Sequence, residues 1–511
     1  MAKIEIVPPP PDAPPPPAPA ELATSALVEQ AFNRASGAPL VKGNSCQLLK
    51  DAGENYPAWF AALRAAKERI FFENYIIEND EVGRELAEVL SERARAGVKV
   101  RLMKDYLGSW SPRARGFWRG MRHAGVEIRS FNPPRLDSPL GWLTRDHRKT
   151  IAIDGAIAFV SGLCISKKWT GDAKRGTPPW RDTGVELRGP AVAYVERAFA
   201  DVWAACGAPL PADALSDVTA MALVGDAAVR VVADAPRKAG LFRLDQLIAS
   251  AARRTLWLTD AYFVGFAPYV QALCAAAQDN VDVRLLVPSA SDLALVSAFS
   301  RAGYRPLIEA GVRIFEWNGS MLHAKTAVAD GRWARVGSTN LNIASFVSNY
   351  EIDVAVENED FARQMEEMYL RDLENATEIV INMRRRVVPD RRSAPPPLEP
   401  EKKGPRGASG RAVGALRFAH AVGTAVTRRR ALGFAQSSLM AIFGGVLAVL
   451  AAVAVLWPRV VAIPLAVAMS WLGVAMLINA VRLRTRRPPE RRKRARTPAR
   501  AKAPAPKTPA P

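Results

Sequence analysis

The sequence predicts an α/β protein made of two tandem halves, followed by a C-terminal transmembrane helical hairpin. Three observations support this prediction. The motif H-x-K-x4-D occurs twice, in "DHRKTIAIDG" and in "MLHAKTAVADG". Segments with strand and helix periodicity precede each copy in the same order. Two uncharged apolar runs follow near the C-terminus, each long enough for a bilayer-spanning helix of ~20 residues.

The chain begins with a proline-rich segment. Residues 8–20 are mostly proline, and residues 1–35 are predicted to form an extended, disordered arm. The first 20 residues contain no apolar stretch of the kind found in signal peptides, so no signal peptide is expected. The four cysteines are scattered and form no C-x-x-C pair. This favours a reducing compartment and indicates neither a zinc site nor a disulfide framework.

The first half is predicted over residues 36–206. Its apolar runs alternate with segments of helical periodicity, which indicates a parallel sheet with crossover helices. In chain order these segments are a strand at 69–77, a helix at 82–97, a strand at 98–106, a helix at 113–125 and a strand at 126–131.

The second half, predicted over residues 221–382, repeats that order. "RTLWLTDAYFV" corresponds to "RIFFENYII", "VDVRLLVP" to "VKVRLMKD", and "AGVRIFEW" to "AGVEIRSF". Each series then reaches its H-x-K-x4-D motif. We therefore predict a tandem duplication whose two halves pack face to face.

The repeated motif points to phosphodiester chemistry. It consists of His147, Lys149 and Asp154 in the first half and of His323, Lys325 and Asp330 in the second. A histidine and a lysine two positions apart on a strand share one face. With two such pairs, one imidazole can attack phosphorus, the other can protonate the leaving oxygen, and the ammonium groups can stabilise the phosphoryl oxygens. This scheme needs no metal or other cofactor, and the sequence contains no H-x-H, H-E-x-x-H or clustered-carboxylate pattern.

Further residues fit the same chemistry. "GSTN" follows the second motif, and Ser338 and Asn340 can donate hydrogen bonds to a phosphate. "SGLC" stands at the matching place in the first half and offers Ser161. Each half then supplies an acid, Asp182 or Glu351. A carboxylate that accepts from the far ring nitrogen would orient each histidine.

Positive charge is concentrated in the C-terminal part of the chain. Residues 1–383 hold 44 Lys+Arg against 46 Asp+Glu, whereas residues 384–511 hold 26 against 4. An enzyme that acts on nucleic acid more often carries its positive charge on the folded body. The near-neutral body therefore argues against a nucleic-acid partner.

The C-terminal part is divided into a linker, a hairpin and a tail. Residues 383–430 read as a basic linker, and the two apolar runs at 437–457 and 460–481 read as a transmembrane hairpin at 437–481. A buried helical pair in a third domain is the alternative for these runs. Arginines flank both ends of the hairpin, so both ends are expected in the cytoplasm. The basic tail, residues 482–511, is expected to be disordered and to lie on the anionic leaflet.

The paired motifs make the chain similar to the phospholipase D superfamily, whose signature is H-x-K-x4-D followed by G-[GS]-x-N. Within it, the chain resembles the bacterial cardiolipin synthases. "AGVKVRLMKDYLGS", "HRKTIAIDGAIAFVSG", "NVDVRLLVPSASD" and "LHAKTAVADGRWARVGSTNLNIASF" carry this resemblance, which covers about residues 40–380. The chain departs from the family at Cys164, where asparagine is usual. It also departs in having its predicted hairpin at the C-terminus.

The resemblance implies two phospholipase D-like α/β/α sandwich halves with one shared active site and a covalent phosphatidyl-histidine. The roles it implies are nucleophile for His147, general acid for His323, phosphate binding for Lys149 and Lys325, and local structure for Asp154 and Asp330.

The expected function is a membrane-associated phosphatidyltransferase that moves a phosphatidyl group between phospholipids. A phospholipase D hydrolase that releases phosphatidic acid would use the same residues and stays as the alternative. A nuclease is disfavoured by the near-neutral body, and a non-catalytic scaffold by the two intact motifs. The expected location is the inner or plasma membrane of a bacterium, with the catalytic halves and both termini cytoplasmic. The expected partners are phospholipid substrates and the anionic leaflet, without nucleic acid.

Overall fold

The computed structural model describes residues 19–111, 114–134, 144–289, 294–381 and 387–389, with isolated positions between 455 and 474. The chain divides into a large unit that contains both predicted halves and a small one formed by 134–140 and 446–511. Apart from 387–389 and the isolated positions, the predicted linker (383–430), hairpin (437–481) and tail (482–511) fall outside the described residues. Within the described part of the chain, no helix combines the length and the apolar character needed to cross a membrane.

The first half contains strands and helices in the predicted order. Its strands are Val41–Lys50 (β1), Arg69–Asn74 (β2), Lys99–Asp105 (β3), Glu127–Phe131 (β4), Lys149–Ile153 (β5), Ile157–Ser161 (β6) and Thr183–Arg188 (β7). Its helices are Asp51–Ala65 (α2), Glu81–Arg95 (α3), Arg115–His123 (α4) and Ala191–Ala205 (α5), after an N-terminal helix Pro19–Ser36 (α1).

The second half repeats this series. Its strands are Ala227–Asp234 (β8), Thr255–Thr259 (β9), Asp282–Pro288 (β10), Arg313–Trp317 (β11), Thr326–Ala329 (β12), Trp333–Gly337 (β13), Glu351–Glu357 (β14), Ala376–Ile381 (β15) and Val387–Pro389 (β16). Its helices are Gly240–Ala251 (α6), Ala267–Gln278 (α7), Ala294–Glu309 (α8), Ile343–Val347 (α9) and Glu359–Glu374 (α10).

The described strands follow one continuous hydrogen-bonded order in which the two halves have the same topology. The first half runs β1-β7-β6-β5-β2-β3-β4, and the second runs β8-β14-β13-β12-β9-β10-β11 and continues into β15 and β16. Strands β1 and β8 pair antiparallel and join the halves. The predicted tandem duplication of α/β halves is thus confirmed.

The strands predicted to be parallel are parallel, but each half also contains antiparallel strands that were not predicted. Strands β2, β3 and β4 are parallel, as are β9, β10 and β11. The motif strands β5 and β12 instead run antiparallel to β2 and β9 and form hairpins with β6 and β13. The hairpins turn at Asp154–Gly155 and Asp330–Gly331, where all four residues have φ between 53° and 67°. Asp-Gly pairs favour tight hairpin turns of this kind because these residues tolerate positive φ.

The prediction of a disordered arm up to residue 35 is wrong from residue 19 onward, where α1 begins. After Pro19 the segment contains no proline and is rich in alanine, leucine and glutamate, which favour helix. Phe32 packs against the core of the second half. The guanidinium of Arg230 donates to Asn33 and lies 5.8 Å from the ring centroid of Phe32. Residues before 19 lie outside the described part of the chain.

The halves share a central hydrophobic core to which α5 and α10 both contribute. Phe199 of α5 stacks on Phe71 of β2 with ring centroids 4.9 Å apart. Tyr369 of α10 stacks on Trp257 of β9 at 5.4 Å. Burying one such aromatic side chain stabilises a fold by about 1.5–3 kcal/mol. Each stack lies within one half, and the shared core contains residues of both halves.

A buried arginine fixes the two halves at the place where the motif begins. Arg148 is 1% exposed, and its guanidinium donates to three backbone carbonyls. These belong to Ala198 at 2.6 Å, Asp234 at 2.9 Å and Glu351 at 3.1 Å. Because all three nitrogens are used, the residue between His147 and Lys149 is held by both halves at once.

Candidate active site

Each motif histidine lies just before a strand and is held by the backbone of the other half. The N–H of His147 donates to the carbonyl of Tyr350 at 2.9 Å, and the N–H of His323 donates to the carbonyl of Arg181 at 2.7 Å. In both cases the accepting residue directly precedes one of the two predicted acids. The backbone pairing therefore brings a carboxylate of one half beside a histidine of the other.

The side chains complete these crossed pairs. Nδ1 of His147 lies 2.9 Å from Oε2 of Glu351, and Nδ1 of His323 lies 2.7 Å from Oδ2 of Asp182. An ionised carboxylate only accepts hydrogen bonds, so Nδ1 carries the proton in both rings. This arrangement leaves Nε2 of each histidine for a substrate.

Each carboxylate has a second donor that fixes it. The hydroxyl of Ser338 donates to Oε2 of Glu351 at 2.6 Å, and the indole N–H of Trp169 donates to Oδ2 of Asp182 at 2.8 Å. Burial by itself would raise the pKa of both carboxyls, but the facing histidine, a motif lysine and the second donor together outweigh it in each pair. The pKa of Asp182 is lowered to about 2, and that of Glu351 lies below its ordinary value. Both acids are therefore charged at neutral pH.

The two motif lysines place their ammonium groups close to the two histidines. Lys149 and Lys325 donate through Nζ to the carbonyls of His147 and His323. Burial lowers the pKa of His147, and burial together with Lys325 lowers the pKa of His323 to about 3. Burial also lowers the pKa of Lys325 to about 8. A phosphodiester anion between these groups would offset the ammonium charges and raise both histidine pKa values.

Aromatic rings that the sequence reading missed enclose the histidines. The ring of His323 lies 5.3 Å from Trp169, 5.8 Å from Trp180 and 5.9 Å from Tyr262. Tyr75 lies 4.9 Å from the ring of His147. The two tyrosines could have been found from the sequence, because each half has a tyrosine just after its first parallel strand, in "ENYI" and "TDAYF".

The two predicted phosphate-contacting serines occupy different positions. By their distance from the motif aspartate, Ser161 corresponds to Gly337 and Gly162 to Ser338. The hydroxyl of Ser161 accepts the N–H of Leu163 at 3.2 Å and so closes a local turn. A Cβ at Gly162 would lie 2.1 Å from a carboxylate oxygen of Asp182. Glycine is thus needed where the carboxylate approaches the backbone.

Cys164 and Asn340 occupy the fourth positions of the two tetrapeptides. Both are buried, at 1% and 5% exposure. The carboxamide oxygen of Asn340 makes no hydrogen bond to the described residues. Burial raises the pKa of the Cys164 thiol, which is therefore neutral at pH 7.

The motif aspartates lie away from the histidines. The carboxylate of Asp154 accepts three backbone N–H groups at the start of β2, at 2.8–2.9 Å. That of Asp330 accepts three at the start of β9, also at 2.8–2.9 Å. Strand β5 separates Asp154 from Lys149 by roughly 16 Å at the usual rise of ~3.3 Å per residue. These aspartates anchor the hairpins and do not reach the other motif residues.

The structure thus brings most of the predicted site residues into one cluster. The cluster contains His147, Lys149, Asp182, His323, Lys325, Ser338 and Glu351. Its two hydrogen-bonded groups are close enough that each lysine lowers the pKa of the histidine in the other group. The cluster can supply a neutral nucleophile, a second imidazole for proton transfer and two cations for an oxyanion. In the part of the chain that the structure describes, no group of His, Cys, Asp and Glu side chains is arranged to hold a metal ion.

Comparison with known proteins identifies relatives of this chain. A family model described as "Cardiolipin synthase, PLD-like domain" matches residues 60–174 and 244–373. A cardiolipin synthase of Geobacillus kaustophilus (strain HTA426) is 34% identical over 346 residues, which cover 67% of this chain and 68% of the relative. Cardiolipin synthase A of Pseudomonas putida (strain W619) is 34% identical over 351 residues, which cover 67% and 71%.

Among solved structures, the phosphatidylserine synthase of Haemophilus influenzae Rd KW20 has a similar fold. Its TM-score is 0.55 at 12% sequence identity, and the match covers 68% of this chain and 91% of that chain. At this identity the likeness concerns the fold of the two halves.

Proposed function

The chain belongs to the family of cardiolipin synthases with phospholipase D-like domains, and on this premise we propose that it moves a phosphatidyl group from one phospholipid to a hydroxyl of another. It is a phospholipase D-type phosphatidyltransferase. The observation that carries the proposal is the crossed pairing of His147 with Glu351 and of His323 with Asp182. Two oriented imidazoles beside two ammonium groups suit a two-step displacement at phosphorus.

In the first step, Nε2 of His147 attacks the phosphorus of the donor lipid. The P–N bond forms while the P–O bond to the leaving head-group alcohol breaks. That alkoxide oxygen takes the proton from Nε2 of His323. Lys149 and Lys325 stabilise the non-bridging oxygens, where charge accumulates. Glu351 stabilises the positive charge that develops on His147.

In the second step the covalent intermediate is broken down, with His323 as the base and His147 as the leaving group. A hydroxyl of the acceptor lipid gives its proton to Nε2 of His323 and forms the new P–O bond. The P–N bond to His147 breaks and returns the free imidazole. Since His323 must donate in one step and accept in the other, its pKa has to move toward neutrality when substrate binds. Its low value of about 3 in the free site makes phosphate binding a condition for acid catalysis.

We place this reaction at the cytoplasmic face of a bacterial membrane. The uncharged runs at 437–457 and 460–481 would form a hairpin, with the basic tail 482–511 on the same side as the catalytic halves. Each basic residue near an anionic leaflet contributes ~1 kcal/mol to attraction. The substrates would then reach the site from the surface of the lipid layer.

Product analysis separates transfer from hydrolysis. Membranes that contain the full chain would be incubated with phosphatidylglycerol alone, and then with phosphatidylethanolamine added, and the lipids identified by mass. Transfer predicts cardiolipin and free glycerol in the first incubation. Phosphatidic acid and free glycerol would mean that water is the acceptor. The proposal would be rejected if every product also formed without His147. A His147→Ala preparation supplies the background.

A further inference from the structure

A cavity of about 450 Å³ lies at the starts of β2 and β3, where its lining is rich in cationic side chains. The charged residues that line it are Lys67, Glu68, Arg69, Lys99, Arg101 and Asp213. The catalytic lysine Lys149 pairs with Asn74 at the other end of β2. At a rise of ~3.3 Å per residue, the six-residue strand puts roughly 16 Å between this cavity and the catalytic cluster.

Arg101 is the buried cation of this cavity. It is 8% exposed, and neither Nε nor Nη1 makes a hydrogen bond to the described residues. The facing acid is Glu127, whose Oε1 lies 3.3 Å from Nε but whose side chain is 55% exposed. Burying two guanidinium nitrogens that have no hydrogen-bond acceptors is costly. An anion in the cavity would supply the acceptors that the described chain does not.

The second half provides an internal comparison. Strand register places Arg284 of β10 where β3 has Arg101, and Asp282 where β3 has Lys99. The guanidinium of Arg284 is paired with the Asp282 carboxylate through contacts of 2.6–3.0 Å. The duplication thus has a carboxylate for the arginine in one half and replaces it by a lysine in the other. Lys99 and Arg101 are thus adjacent cations, and the acid beside Arg101 is Glu127, at the register position that Arg313 occupies in the second half.

The remaining charges define what would fit. The guanidinium of Arg69 is already bonded to Glu196 at 3.0 Å and to Ser216 at 2.7 Å, so the exposed Lys67 and Lys99 are the ammonium groups left to a ligand. A forked guanidinium with lysines is a combination suited to phosphate oxygens. The volume lies within the ~300–1,000 Å³ of small-molecule sites and exceeds that of a phosphate ion, and two carboxylates in the lining can accept from hydroxyls.

We propose that this cavity binds a small phosphate ester with hydroxyl groups, at a site separate from the catalytic histidines. The ester is either a soluble molecule or the head group of a phospholipid. The proposal does not depend on the identity of the transfer reaction, because its residues take no part in that reaction.

The test uses Lys99→Asp, which copies the second half and gives Arg101 an internal carboxylate. Binding of sn-glycerol 3-phosphate to the full chain in non-ionic detergent would be measured by calorimetry, in parallel with a dihexanoyl phosphatidylglycerol. Wild type should bind one equivalent that Lys99→Asp binds at least tenfold more weakly. Lys238→Asp, an equal charge change at an exposed residue of the second half, should bind like wild type. Retained phosphatidyl transfer would show that each variant is folded.

Equal binding by wild type and Lys99→Asp with both probes would overturn the proposal. Binding of both probes at the Lys99-dependent site identifies the phosphate ester itself as sufficient, whereas binding of the lipid alone identifies a lipid head group as the source. Lys67→Ser provides a second variant that leaves the strand unchanged. We expect it to weaken binding of the same ligand about fivefold. Unchanged affinity in both Lys99→Asp and Lys67→Ser would reject the site.

Discussion

Nδ1 of His147 lies 2.9 Å from a carboxylate oxygen of Glu351, a residue 204 positions further along the chain. The same relationship links His323 to Asp182 across the other direction of the duplication. Neither half therefore contains a complete histidine–carboxylate pair of its own. A substitution of the acid in one half should therefore alter the function of the histidine in the other half.

Glu351→Gln should reduce kcat by roughly 10²–10⁴-fold, because the neutral amide no longer stabilises an imidazolium at His147 or fixes its tautomer. Steady-state transfer assays with the wild type alongside would measure this. Glu357→Gln, on the same strand with a 41% exposed side chain, is the matched control and should stay within twofold of wild type. A Glu351→Gln enzyme of normal rate would remove the acid from the mechanism.

Labelled phosphatidylglycerol should leave an acid-labile adduct on His147 after a rapid quench. His147→Ala should lose the adduct and fall in rate by on the order of 10⁴-fold or more, since the residue acts as nucleophile. Peptide mapping by mass would locate the label. Label on His323 would reverse the two roles, and its absence from both histidines in an active enzyme would indicate direct displacement.

Lys325→Met should raise the pKa of His323 from about 3 toward its ordinary value of 6.5, because after burial the ammonium of Lys325 is the largest influence that lowers it. Lys149→Met should raise it less, since the field of Lys149 on His323 is weaker. The chain has only four histidines, so imidazole resonances in a ¹⁵N-histidine sample can be followed against pH. A soluble phosphodiester should raise the same pKa in wild type. An unchanged pKa in Lys325→Met would contradict this electrostatic description.

Much of the α/β pattern could be predicted from the sequence, because the apolar strands around 69–77, 98–106, 254–264 and 281–288 carry their signal locally. The antiparallel return of β5 and β12 was missed, although the Asp-Gly pair that ends each motif is a hairpin signal. The direction of a strand depends on this turn and not on the apolar run itself.

The site was only partly predictable for a related reason. The two acids were found because each follows its motif at a similar distance, but their exchange between halves depends on the backbone pairing of residues 146 with 350 and 181 with 322. The indole of Trp169 was missed because its bond to Asp182 replaces the hydroxyl that Ser338 provides in the other half. A substitution of one chemical group by a different one leaves no repeat in the sequence.

Chelation should leave turnover largely intact. In the proposed mechanism two imidazoles and two ammonium groups supply the nucleophile, the acid and the charge stabilisation. Transfer by detergent-solubilised enzyme in EDTA should therefore stay within about twofold of the rate without it. Complete loss that Mg²⁺ or Zn²⁺ restores would mean that the site has been misread. The assay uses detergent micelles because EDTA also removes calcium, and calcium-dependent packing of a bilayer could alter the rate by itself.

Single cysteines introduced after residue 482, in a chain freed of its native cysteines, should resist membrane-impermeant reagents in intact cells and react after lysis. This expectation follows from the arginines on both sides of the two apolar runs. A cysteine placed at the predicted turn, Pro458–Arg459, is the opposite control and should react from outside. Labelling beyond 482 in intact cells would overturn the inward orientation.

The exchanged carboxylates also bear on how such a chain could have arisen. Two identical modules paired through β1-like strands would already contain both crossed pairs, as a symmetric dimer does. In such a dimer the two histidines would be chemically equivalent, and either could attack. Once both modules are part of one polypeptide, each can change alone, as Gly162 and Ser338 or Lys99 and Asp282 have. Fusion thereby allows one histidine to specialise in attack and the other in proton transfer, a division of labour that identical subunits cannot encode.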